Sequence, residues 1–107
     1  MNGYTIEQAN ELAKGKESKL FRDYVMFFGL AGAKQLQEKE CDVELREVIG
    51  VFRKRFFEPI KEVGAIKRIE PSLRKDFDEY FTHAWNEWQA GRGREHFEFL
   101  KEEQPCV

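Results

Sequence analysis

Apolar residues recur along this chain at steps of three and four, the spacing that lines one face of an α-helix. The clearest run is Leu73, Phe77, Tyr80, Phe81, Ala84, Trp85 and Trp88. Pro71 suits the first turn of that helix, because its missing N–H would have no partner there anyway. Gly91 marks the end, near Ala90. A second stripe, Leu45, Val48, Ile49, Phe52, Phe56, Ile60 and Val63, starts after Asp42, which is expected to cap it, and stops at Gly64. Pro59 lies inside this stripe and predicts a kink or break near Phe57–Glu58.

Two further helices precede these. Thr5 and Gln8 have capping-box spacing, each side chain facing the other's free backbone N–H. A short helix is expected from Ile6 to Lys14, with Ile6, Ala9, Leu12 and Ala13 on its apolar side and Gly15 as its stop. Ser18 is a suitable cap for a longer helix reaching about Lys39. Its apolar face is wide: Leu20, Phe21, Tyr24, Val25, Phe27, Phe28, Ala31 and Leu36. Gly29, Gly32 and Ala33 form a small-residue patch, where a second helix is expected to cross closely. No segment alternates in the manner of a strand. The pattern therefore predicts an all-α fold. It is a compact bundle of four main helices in one domain spanning residues 1–107, with room for a short C-terminal helix. Residues 1–4 and about 101–107 are expected to be loose.

Composition agrees with amphipathic helices. Of the 107 residues, 41% are hydrophobic, including ten Phe, and 36% are charged. The longest apolar stretch, Tyr24 to Ala33, is about half the ~18 residues a membrane span requires, so no membrane association is expected. Glu7, Glu11, Lys14 and Glu17 break up the first twenty residues, which do not read as a signal peptide. Cys41 and Cys106 are too few and too far apart for a disulfide framework. A reducing, cytoplasmic location is expected.

The net charge of −2 is unevenly spread. Residues 1–45 carry six basic and eight acidic side chains, residues 46–75 nine and four, and residues 76–107 three and eight. The middle block holds Arg46 and Lys61 together with Arg53, Lys54, Arg55, Lys67, Arg68, Arg74 and Lys75, the last seven being the candidates for binding. Basic residues at this density suit a phosphate backbone or an acidic protein surface. A solvated helix face is the simplest account of the same charges.

Candidate chemistry is sparse. Asp76, Glu79, His83 and Glu87 share one face of the last helix, a carboxylate–imidazole spacing that can hold metal when other helices add ligands. No second helix supplies a histidine, and the face lies opposite the apolar stripe. Neither a cofactor nor a metal is expected. Ser18 and Ser72 stand at helix starts rather than in a nucleophile elbow. The stretch Gly91–Arg94 lacks the lysine and hydroxyl residue of a phosphate loop.

Aromatic residues gather toward the C-terminus, and Trp, Tyr and Arg are enriched where protein interfaces are strongest. The leading expectation is a non-enzymatic protein–protein interaction module: a small regulator, inhibitor or complex subunit. It would bind a protein partner, or a second copy of itself, through Trp85, Trp88, Arg92, Arg94 and Phe97. The alternative is a helical nucleic-acid-binding subunit using the basic block. The third reading is a metal site on Glu79, His83 and Glu87.

Overall fold

In the computed structural model, residues 4–92 are described. They form four α-helices: α1 (Ile6–Leu12), α2 (Lys19–Glu38), α3 (Leu45–Glu62) and α4 (Pro71–Gln89). A 3-10 turn, Gly15–Glu17, links α1 to α2. The described residues contain no strand.

Local capping matches the residues that open α1 and α2. Thr5 and Gln8 exchange backbone-to-side-chain hydrogen bonds, each 3.0 Å. The Ser18 hydroxyl is buried and accepts from the Phe21 N–H at 3.2 Å. Pro71 is the first residue of α4. Gly15, Gly64 and Gly91 all take positive φ at element ends.

Three expectations need correcting. First, α1 stops at Leu12 rather than Lys14, and Ile6 is 52% exposed instead of packed. A helix this short buries only Ala9 and Leu12.

Second, Glu44 rather than Asp42 precedes α3. A cap at Asp42 would place Leu45 three residues on, where no side chain can reach back. Glu44 places Glu47 there, and the Glu44 N–H donates to its carboxylate at 2.8 Å.

Third, Pro59 does not break α3, which continues past Phe57–Glu58 to Glu62. An interior proline costs about 3 kcal/mol. Phe56, Phe57 and Ile60 flank it and are buried, and each stabilises by about 1.5–3 kcal/mol. Their combined burial outweighs the lost bond. The carbonyl left without a donor belongs to Arg55, an exposed residue.

The core is aromatic. Phe21, Phe56, Phe57, Phe77 and Phe81 are fully buried. Phe77 stacks on Phe81 along α4 with ring centroids 5.2 Å apart. Phe52 and Phe56 of α3 meet them at 5.2 and 5.3 Å.

On the other side, α2 lies close along α4 at the small-residue patch. A Cβ at Gly29 would sit 2.8 Å from the Ala84 Cβ and 3.1 Å from the Phe81 carbonyl oxygen. Gly32 performs the same service toward α3, where its missing Cβ would lie 3.0 Å from the Phe52 ring.

The end of α2 carries a backbone irregularity. Glu40 adopts φ 55°, in the left-handed region. The Cys41 N–H donates to the Leu36 carbonyl at 2.9 Å and the Glu40 N–H to Gln37 at 3.0 Å. This is a Schellman-type ending in which glycine normally occupies the left-handed position.

Two stability changes follow. Gly29→Ala should destabilise by about 1–3 kcal/mol in urea unfolding, because both neighbours are rigid; an unchanged midpoint would contradict the close approach. Glu40→Gly should move the midpoint the other way, by roughly 0.5–1 kcal/mol, by relieving the left-handed Cβ.

Candidate functional site

Among the described residues, concave surfaces lie on either side of α2. One is an open groove of about 480 Å³ between α2 and α3. Phe28, Ala31, Gln35 and Glu38 line it from α2, at helical steps that form one ridge about 15 Å long. Phe52 and Arg55 line it from α3, and Gly32 is at its base. Phe28 and Phe52 meet edge-to-face at 5.9 Å. The Arg55 guanidinium lies 5.8 Å above the Phe52 ring, a cation–π position. On the α2 rim, Lys34 approaches Glu38 at 3.9 Å.

The groove exists because α2 and α3 touch only locally. The Phe28, Phe52 and Phe56 rings hold them apart, whereas the glycine at 29 lets α2 close onto α4.

A smaller cavity of about 210 Å³ lies where the α2–α3 connection covers the end of α4. Leu36, Gln37, Cys41, Asp42, Trp85 and Gln89 are among its walls. The Cys41 thiol is free and exposed. This volume is below the usual range for an organic ligand site.

The residues expected to form an aromatic partner surface are dispersed. Trp85 is 6% exposed and stacks on Phe81 at 6.2 Å, so its ring belongs to the core. Trp88 is half-buried, and its indole N–H donates to the Gln37 side chain at 2.6 Å, tying α4 to α2. The Arg92 guanidinium bonds the Glu87 carboxylate at 2.7 Å, which raises its pKa further above the ordinary arginine value. Arg94 and Phe97 lie outside the described residues. The signal for aromatic area elsewhere was present in Phe28, which is half-buried where α2 and α3 separate, and in Phe52, which lines the same groove while only 7% exposed.

The basic block divides similarly. Arg53 forms a two-pronged bond with Asp78 at 2.9 and 3.0 Å, joining α3 to α4. Arg68 bonds Glu70 at 3.1 Å. Arg55 turns toward the groove. Lys54, Lys67, Arg74 and Lys75 are exposed, with no ion-pair partner among the described residues.

The helix-face carboxylates do not converge either. The Asp76 carboxylate accepts the Lys16 N–H at 3.1 Å and so fixes the 3-10 turn to α4. Glu87 is engaged with Arg92, while Glu79 and His83 are exposed. Among the described residues, no three His, Cys, Asp or Glu side chains gather as a metal site.

Other displaced proton affinities have structural causes. Burial raises the Tyr4 pKa, with a smaller contribution from Tyr24. Hydrogen bonds from Lys14 and then Ser18 lower that of Glu11. Among the described residues, no helix is long and apolar enough to cross a membrane.

The Arg53–Asp78 pair is 21% and 35% exposed on its two sides, which sets its expected strength between a screened surface pair and a buried one. A double-mutant cycle with Arg53→Ala and Asp78→Ala should give a coupling of about 1 kcal/mol. A coupling indistinguishable from zero would remove this pair as the polar lock between α3 and α4.

Compared with known proteins, the chain matches no family model, no curated protein and no solved structure.

Proposed function

We propose that this protein is a non-enzymatic interaction module that receives a helical segment of a partner protein in the groove between α2 and α3. The observation that carries this reading is the groove's construction. It has an aromatic floor at Phe28 and Phe52, a ridge of α2 residues at helical spacing, and a cationic rim at Arg55.

An amphipathic helix lying in such a groove inserts apolar side chains at steps of three, four and seven. The α2 ridge has the same periodicity, so a helix packed along it meets matching gaps. Arg55 has no ion-pair partner among the described residues and is oriented by the Phe52 ring. A partner carboxylate opposite it would satisfy that charge and set the direction of the bound helix.

The polar residues of the groove, Lys34, Gln35, Glu38 and Arg55, are spread along its two helices over an open surface rather than gathered in an enclosed pocket. On this reading the mode of action is occupation of a surface, as in a regulator, inhibitor or complex subunit. The sparse use of cysteine supports a reducing compartment such as the cytoplasm.

Affinity capture from the native host, quantified by mass spectrometry, tests this directly. Ala31→Trp fills the groove and Arg55→Glu reverses its rim. Both should lose the same captured protein by tenfold or more while retaining native helicity. Glu79→Lys, on the exposed face of α4, should retain it. Equal capture by wild type and both groove variants would sink the proposal.

A further inference from the structure

We propose that the flank of the molecule where α3 meets α4 binds the phosphate backbone of a double-stranded nucleic acid, without reading its bases. This surface is separate from the α2–α3 groove, and neither proposal depends on the other.

The placement follows from helical register. Arg53 and Asp78 join the facing flanks of α3 and α4. Lys61 lies eight residues after Arg53, two turns along α3 and about 80° further round it, on the side away from the α2 groove. Lys54 lies seven residues before Lys61, in the same longitudinal row and about 10 Å away along the axis. Arg74 and Lys75 precede Asp78 by four and three residues, one turn back on the facing flank of α4. Lys67 comes from the connection between the helices. These residues are exposed and have no ion-pair partner among the described residues.

Neighbouring carboxylates are fewer. Asp78 and Glu70 are held by Arg53 and Arg68. Glu58 and Glu62 on α3 and Glu79, one turn after Lys75 on α4, are exposed and moderate the charge without closing an ion pair among the described residues. The surface is left with a positive excess in a chain whose net charge is −2.

Helix stability does not account for this arrangement. Arg74 and Lys75 are the fourth and fifth residues of α4, and the first turn contains no acidic residue. Positive charge near this end is opposed by the helix dipole.

The composition of the flank selects the partner. A protein interface usually has an apolar centre within its polar rim. Here the exposed side chains are mostly lysine, arginine and glutamate, with Pro71 and Ser72; the exposed Val51 lies one turn before Lys54, outside the row from Lys54 to Lys61, and no exposed aromatic residue accompanies it. Nucleic-acid interfaces are more polar and more positive. Without an aromatic platform, the flank gains nothing from the unstacked bases of a single strand. Flexible lysines address phosphates rather than base edges, so affinity should be independent of sequence and set by salt.

Fluorescence anisotropy of the full chain with a labelled 20-base-pair duplex, at 50 and 200 mM NaCl, tests the proposal. Neutralising three to five phosphates implies a loss of affinity of roughly 40- to 500-fold between those salts. Lys61→Gln/Arg74→Gln should weaken binding at 50 mM and reduce the logarithmic salt slope by about two. Lys14→Gln/Lys39→Gln, which changes net charge equally elsewhere, should leave both quantities close to wild type. Circular dichroism checks that both variants fold.

Three results would overturn the proposal: no binding of duplex at 50 mM, equal effects of the two variants, or preferential binding of polyglutamate of matched charge. The last would identify an acidic protein surface as the partner instead.

Discussion

The closeness of α2 and α4 at Gly29 governs the positions of the other helices. With no side chain there, the backbone of α2 reaches the Phe81 carbonyl and the Ala84 methyl. That contact fixes how far α4 stands from α2, and therefore where Phe77 and Phe81 project. Phe52, Phe56 and Phe57 of α3 must pack on those rings. The position of α3 is thus set by bulky side chains on one side, while α2 and α4 are set by the absence of one. Unequal spacing is the result. A tight seam joins α2 to α4, and the rings between α2 and α3 leave the groove.

Consecutive residues of α3 then serve opposite surfaces. Phe52 and Arg55 look toward α2, whereas Arg53 points to α4 and Lys54 follows on that flank. A basic run that appears continuous in the sequence is therefore divided by the helix itself. Within Arg53–Arg55, one cation forms a structural lock with Asp78, another is held over an aromatic ring, and Lys54 between them faces water. Electrostatic contrast in this protein comes from that division more than from its overall charge.

Much of the fold was legible in the amino-acid pattern because periodicity reports burial. The stripes from Leu45 and Leu73, the caps at Thr5 and Ser18, and the small patch at Gly29 all lie where the spacing placed them. The exceptions occurred where tertiary contacts outweighed local preference. Pro59 stays helical because buried neighbours secure its turn, and Ile6 is exposed because α1 is too short to cover it.

The surface was harder to read. A count of aromatics near the C-terminus could not distinguish Trp85, which completes the core, from Phe28 and Phe52, whose edges line a groove. Nor could the density of basic residues show which of them already had partners. Both distinctions depend on the distance between helices, which a one-dimensional pattern does not contain.

Both tryptophans of the chain lie on α4, less than one turn apart, yet in unlike surroundings. Trp85 is enclosed against Phe81, in a setting that favours short-wavelength emission. Trp88 is half-exposed, packs against Leu30 of α2 and donates its indole N–H to Gln37. The intrinsic fluorescence of this protein is thus a sum of two reporters, one on the integrity of the core and one on the junction at the far end of α2. A loosening of that junction would change the red side of the spectrum before the blue side, which makes partial opening distinguishable from unfolding without any added label.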